Sequence, residues 1–116
     1  MGGKTFLIIL ILLTALVFTA CSSTGKHDEL AKCLTDKGVR MYGASWCSHC
    51  KEQKAEFGKS WRLVAYVECS TASGGQTKIC QDAGIEGYPT WVFPDGTKES
   101  GKLSFETLSK LSGCPL

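Results

Sequence analysis

The feature that most constrains this chain is a Cys-x-x-Cys motif, Cys47 and Cys50, that lies between an apolar segment and a helical one. Three uses are open to it: half of a metal site, an inert disulfide, or a pair that exchanges disulfides. Exchange requires a reachable thiolate, and a helix start stabilises an anion through its unpaired N–H groups and its dipole. Cys47 is therefore predicted to attack the partner, and Cys50 to resolve the mixed disulfide.

The order of segments predicts an α/β fold. Helices are expected over residues 27–37, 48–57 and 76–83 and after Ser104, and strands over 39–44, 63–69, 90–93 and 97–102. Because a helix joins the first two strands, they should be parallel with a right-handed crossover, whereas the last two should form an antiparallel hairpin. The segment 63–69 is apolar on both pleat faces, which favours a strand covered on both sides. A mixed central sheet of about four strands, flanked by helices on both faces, follows.

Residues 1–20 are expected to be a targeting segment. Their nearly apolar run of fifteen residues would reach roughly 22 Å as a helix, short of the roughly 30 Å hydrocarbon core, which suits a secretory signal. The small residues before Cys21 and the polar tether 21–26 resemble a bacterial lipoprotein signal, in which Cys21 is acylated, although Phe18 departs from the usual leucine. The alternative is an uncleaved or soluble secretory signal with Cys21 incidental. Either way, residues 27–116 are expected to form one extracytoplasmic domain, in the periplasm or on the outer cell surface.

The cysteine count agrees with an oxidising compartment. Seven cysteines in 116 residues is a high number. With Cys21 set aside, six remain, and sequence alone allows fifteen pairings. A Cys69–Cys80 disulfide would close the short loop between a strand and the next helix; a second exchanging pair is the alternative. Cys33 and Cys114 could join the two ends of the domain; otherwise Cys33 is a buried thiol.

Composition and spacing disfavour several other functions. The net charge is only +2 and no basic stripe is present, so no nucleic-acid partner is expected. A zinc site needs a second close pair of ligands, and Cys69 and Cys80 are too far apart to supply it. Covalent haem needs a histidine directly after the motif, where this chain has Lys51. No metal or cofactor is expected.

Two motifs together resemble the thioredoxin superfamily: Trp-Cys-x-x-Cys after a strand, and Gly-Ile-x-Gly-Tyr-Pro-Thr about forty residues later. In detail the chain is most similar to the thioredoxin-like domain fused to bacterial vitamin K epoxide reductase homologues. The matching residues are Tyr42–Cys50, Tyr66–Cys69 and Gly87–Trp91. The resemblance implies a thioredoxin-like fold and disulfide exchange with secreted cysteine-containing proteins and a quinone-linked membrane oxidase. The chain is expected to be such a domain made as a separate, monomeric, membrane-anchored protein.

The residues around the cysteines adjust this chemistry. His49 can stabilise the Cys47 thiolate, as in oxidising periplasmic relatives of the fold, or it can be a solvated loop residue. Ser48 replaces the proline common at its position, which leaves the helix start less fixed. Trp46 is expected to shield Cys47 and to offer a flat docking surface; packing in the core is the alternative.

The resemblance also implies a cis peptide bond before Pro89, facing the cysteine pair. Such a bond would expose the backbone of Tyr88 for pairing with a substrate strand and would keep metals from the two thiols. A trans-proline at a strand edge is the alternative.

One departure from the family pattern bears on the direction of electron flow. Reducing thioredoxins bury an acidic residue six positions before the first cysteine, often with a lysine on the next strand; here Met41 and Tyr66 stand at those positions. Without that base Cys50 is harder to deprotonate, which favours donating disulfides, although Lys51 and Glu52 could compensate. An oxidase is thus expected ahead of a reductase or isomerase. The rival from another class is a non-enzymatic, disulfide-stapled binding lipoprotein.

Overall fold

The computed structural model describes residues 23–116. Its helices are α1 (Asp28–Asp36), α2 (Ser48–Phe57), α3 (Lys78–Asp82) and α4 (Phe105–Ser112), and a 3-10 helix covers Gly58–Leu63. Its strands are β1 (Arg40–Gly43), β2 (Tyr66–Glu68), β3 (Thr90–Val92) and β4 (Lys98–Ser100). This is the predicted order of elements.

The signal segment predicted for residues 1–20 and the acylation predicted at Cys21 lie outside the described residues. Within residues 23–116, no helix has the length and apolar character needed to cross a membrane.

The four strands form one sheet in the order β2-β1-β3-β4. Strands β1 and β2 are parallel, with Met41 opposite Tyr66, whereas β1–β3 and β3–β4 are antiparallel. The helix α2 connects the parallel pair, and a short turn connects the last hairpin. The predicted mixed sheet is therefore confirmed, and β1 lies in its interior.

The sheet packs against a hydrophobic core on each face because successive side chains of a strand point to opposite sides. Met41 belongs to the larger core, where residues of α1, α2 and α4 pack against β1 and β3. The main members of this core are Leu30, Leu34, Met41, Phe57, Trp91 and Leu108. Tyr42, its neighbour on β1, lies in a smaller core with Cys69, Cys80 and Ile85, next to α3. Helices thus cover both faces, as predicted.

Strand β2 differs from its prediction. It spans only Tyr66–Glu68, is half-buried and lies at an edge of the sheet, whereas a strand over 63–69 covered on both sides was expected. The reason lies just before it, because Leu63 completes the 3-10 helix that follows α2. Leu63 and Val64 pack against the larger core and do not extend the sheet.

The buried face of α2 contains a residue that the sequence analysis missed. Cys50 and Phe57 are buried as predicted, Trp61 is half-buried, and Gln53 is fully buried between them. The Gln53 Oε1 accepts hydrogen bonds from the Trp91 indole at 3.2 Å and the Leu103 N–H at 2.8 Å. Its Nε2 donates to the Leu103 carbonyl at 3.1 Å. Paired in this way, the amide joins α2 to β3 and to the segment before α4 at little desolvation cost.

Two disulfides each join two segments of the fold, one pair far apart in sequence and the other close. Cys33 of α1 is bonded to Cys114 after α4, with a Cα–Cα distance of 5.8 Å. Cys69 at the end of β2 is bonded to Cys80 of α3, with a Cα–Cα distance of 5.6 Å. These pairs are the two considered above, and they leave Cys47 and Cys50 as free thiols among the described residues.

Candidate active site

The two free thiols lie at the start of α2, just after β1. Cys47 has extended backbone angles (φ −74°, ψ 120°) and is the N-cap residue of α2. Its Sγ accepts a hydrogen bond from the N–H of Cys50 at 3.2 Å. A backbone N–H at a helix start stabilises negative charge on the atom that it contacts. This geometry suits Cys47 to the attacking role predicted for it.

The two sulfurs differ in their access to solvent. The side chain of Cys47 is 6% exposed, and that of Cys50 is fully buried beneath it. A partner sulfur can therefore meet Cys47 first.

The two thiols also differ in acidity. Burial, followed by the hydrogen bond and charge of Cys47, raises the pKa of Cys50 to about 12, although a backbone hydrogen bond at Ala44 and the charge of Lys54 act in the opposite direction. Cys50 therefore stays protonated in the dithiol. Once Cys47 is bonded to a partner it carries no charge, so one of the causes that raise the Cys50 pKa is removed.

The wall beside Cys50 is formed by two neighbouring strands. Met41 of β1 is fully buried and pairs in register with Tyr66 of β2. A Cβ built on Gly43 would lie 3.0 Å from Cys50 Sγ and 3.0 Å from Tyr66 Cε2. Glycine at this position thus lets the tyrosine ring and the thiol approach the same point. Met41 and Tyr66, which the sequence analysis compared with the acid and lysine of reducing thioredoxins, thus contribute an apolar side chain and a phenol to this wall.

Glu68 fixes this wall to the loop that precedes the cysteines, and sequence reasoning gave it no role. Its Oε2 accepts from Tyr66 Oη at 2.7 Å, and its Oε1 accepts from the Ser45 N–H at 3.0 Å and from the N–H and hydroxyl of Ser70. Burial opposes its ionisation, but these hydrogen bonds from Ser70, Tyr66 and Ser45 outweigh burial and lower the pKa of Glu68 to about 2. The available signal was an acidic residue at the end of an otherwise apolar strand.

The Glu68 carboxylate should make stability depend on pH. The folded pKa of Glu68 lies below the ordinary value of 4.5, so its stabilisation is present above about pH 4.5 and is lost as the pH falls toward 2. Between about pH 5 and pH 2.5, we expect the free energy of unfolding of the wild type to fall by about 2 kcal/mol more than that of Glu68→Gln. Chemical denaturation at each pH measures this. Glu86→Gln, which changes an exposed carboxylate, is the matched control; an equal fall in Glu68→Gln and Glu86→Gln would contradict the prediction.

The remaining predicted site residues lie beside Cys47 in sequence or in the segment before β3. Trp46 is 62% exposed, so the core-packing alternative for it is wrong, and its ring lies edge-on to Tyr88 at a centroid distance of 5.8 Å. The Tyr88–Pro89 peptide bond is cis. Ser48, the first residue of α2, is exposed.

His49, also exposed, points its Nδ1 at Glu52 Oε2, at a distance of 3.5 Å. Its predicted effect on the Cys47 thiolate stays a prediction. Within residues 23–116, no three His, Cys, Asp or Glu side chains are grouped so as to hold a metal ion.

Two curated proteins are similar to this chain. Over 100 residues, which is 82% of the chain, it is 45% identical to "Thiol-disulfide oxidoreductase LTO1" of Arabidopsis thaliana. Over 80 residues it is 34% identical to "Probable protein disulfide-isomerase ER-60" of Schistosoma mansoni. The matches cover 26% and 15% of those proteins, so the chain spans about a quarter or less of their length.

No protein-family model matches the chain. The sheet order, the thiol pair at the start of α2 and these two relatives nevertheless agree with one another. The chain is a domain of the thioredoxin-like superfamily, and its two free thiols at the start of α2 have the arrangement that disulfide exchange requires.

Proposed function

We propose that this domain donates disulfides to secreted cysteine-containing proteins outside the cytoplasm. In this proposal it is held at a membrane through acylated Cys21, acts as a monomer, and is reoxidised by a membrane thiol oxidase of the vitamin K epoxide reductase type. The carrying observation is Met41, which is fully buried next to the strand of Tyr66 where a reducing thioredoxin has a buried acid.

Met41 favours oxidation of the partner because of its effect on the balance between the dithiol and disulfide forms of Cys47 and Cys50. An apolar wall cannot take the proton of Cys50, so formation of the internal disulfide receives no help from a buried base. The reduced state, in contrast, holds the Cys47 sulfur against the Cys50 N–H, which stabilises a thiolate. A disulfide whose reduced form is stabilised is a stronger oxidant.

The location and the partners depend on the sequence and on similarity. The secretory signal predicted for residues 1–20 and the acylation predicted at Cys21 support extracytoplasmic anchoring. A relative named as a thiol-disulfide oxidoreductase supports exchange with other thiols.

The reduction potential tests the direction. We expect equilibration of the purified protein with glutathione buffers to give a potential between about −120 and −180 mV, as for oxidising members of the superfamily. Intrinsic tryptophan fluorescence can follow the equilibrium because Trp46 lies next to Cys47. A potential near −270 mV would instead place the protein among the reductants.

Disulfide isomerase activity is the second candidate, supported by the similarity to the probable protein disulfide-isomerase. A scrambled, fully oxidised ribonuclease separates the two activities. The domain is added in its reduced form, so that the Cys47 thiolate can start exchange without any other thiol. An isomerase then restores ribonuclease activity catalytically, whereas an oxidase leaves ribonuclease activity low.

A further inference from the structure

Lys54 lies on α2 four residues after Cys50, and residues at this spacing share one side of a helix. Its Nζ lies 3.9 Å from the centroid of the Tyr66 ring and 5.4 Å from that of Trp61. Both distances are within the range of about 6 Å for cation–π attraction. The two rings therefore hold the ammonium group on the side of the helix that carries the buried thiol.

Tyr66 connects this cation to Cys50. Its ring and the Cys50 sulfur flank one point above Gly43, as the two 3.0 Å distances there show. The Tyr66 hydroxyl donates a hydrogen bond to Glu68 at 2.7 Å. The ring is therefore held by this bond at one end and by the backbone of β2 at the other. A cation above a ring that is anchored in this way has a defined position relative to the thiol.

We propose that Lys54 is a positioning residue for disulfide exchange: held by Tyr66 and Trp61, its charge stabilises the Cys50 thiolate while the mixed disulfide is resolved. Met41 cannot act as a base, but a nearby cation lowers the free energy of the anion without accepting its proton. The inference concerns a step shared by oxidation and reduction, so it does not depend on the direction proposed above.

The step balances as follows. The S–H proton of Cys50 passes to water, and the Cys50 thiolate attacks the Cys47 sulfur. The bond between Cys47 and the partner sulfur breaks, and the partner leaves as a thiolate that takes up a proton. Cys47 and Cys50 end as a disulfide, and two electrons have passed to the partner.

Few charged or titratable groups of the described residues face Cys50. Cys47 faces it from the start of the same helix, Lys54 from one turn further on, and Tyr66 with its partner Glu68 from β2. The charge of Lys54 acts to lower the Cys50 pKa, against burial and against Cys47. In the mixed disulfide, where Cys47 is uncharged, Lys54 is the cation among these groups and favours the anion.

Stopped-flow reaction of the reduced protein with 5,5′-dithiobis(2-nitrobenzoate) separates the two thiols. The first release of thionitrobenzoate reports attack by Cys47 and depends on reagent concentration; the second reports attack by Cys50 and does not. Both phases are measured against pH for the wild type, Lys54→Met and Lys54→Arg. Lys59→Met is the matched control, because Lys59 is an exposed lysine of the 3-10 helix that follows α2.

We expect Lys54→Met to slow the second phase about threefold at neutral pH and to leave the first unchanged. Loss of the cation makes the Cys50 thiolate scarcer, and the greater nucleophilicity of a more basic thiolate restores part of the lost rate. Lys54→Arg and Lys59→Met should match the wild type.

An unchanged second phase in Lys54→Met would overturn the inference, as would an equally slow one in Lys54→Arg, because the effect would then come from packing. Lys54→Gln provides the same test if the methionine variant does not fold. Absence of the first phase in the wild type would instead refute disulfide exchange itself.

Discussion

Replacing Cys47 with serine is expected to abolish disulfide exchange, whereas Cys50→Ala should complete the first exchange and stop at a mixed disulfide. The difference follows from burial, since a partner can reach only the 6% exposed Cys47 sulfur, and the fully buried Cys50 is left to resolve the product. We expect Cys47→Ser to lose at least about three orders of magnitude in rate, as the loss of a nucleophile does in other enzymes. The two variants control for each other because each lacks one sulfur.

Mass spectrometry after reaction with a single-cysteine peptide disulfide measures both outcomes. Cys50→Ala should gain the mass of one peptide, and Cys47→Ser should gain none. Peptide attached to Cys50 in the Cys47→Ser variant would contradict the assignment of roles.

Alkylation at mildly acidic pH, after gentle reduction, tests the non-enzymatic alternative: an inert disulfide would give no rapidly labelled Cys47.

Removing the Cys33–Cys114 disulfide is expected to destabilise the domain more than removing Cys69–Cys80. The first joins residues 81 apart in sequence and the second residues 11 apart. The chain-entropy relation then gives losses of about 4.5 and about 3 kcal/mol, respectively. For a domain whose total stability is about 5–15 kcal/mol, either loss is large.

Paired alanine variants, Cys33→Ala/Cys114→Ala and Cys69→Ala/Cys80→Ala, test this order. Both are made with Cys47→Ser and Cys50→Ser, so that free thiols cannot rearrange the remaining bridge. Guanidinium denaturation gives the free energies of unfolding. A greater loss for the Cys69–Cys80 pair would show that local strain or packing, and not loop closure, determines the contribution of each bridge.

The sequence was most informative where local chemistry determines structure. The bounds of α2, Ser48–Phe57, agree with the prediction because Cys47 caps its start and Gly58, at φ 54°, ends it with a conformation that glycine adopts easily. The parallel direction of β1 and β2 followed from the single helix between them, and the antiparallel pairing of β3 and β4 followed from the turn between them. These features depend on a few neighbouring residues.

Features that depend on tertiary contacts were not predictable in the same way. Gln53 is polar on a helix, and only the positions of Trp91 and Leu103 explain its burial. The apolar pattern of 63–69 could not show that Leu63 ends a 3-10 helix or that β2 lies at an edge. Glu68 and Lys54 gained their roles only when Tyr66 was placed between them and beside Cys50.

The recessed position of Cys47 has a consequence for timing. Thiol attack on a disulfide depends on access to the sulfur, and a sulfur this deep can be met only by a cysteine on a chain that can bend toward it. For the disulfide donor proposed above, a newly exported polypeptide meets this requirement and a rigid, folded protein surface does not. We therefore expect such a domain to select its substrates by their flexibility and to act on them before they fold.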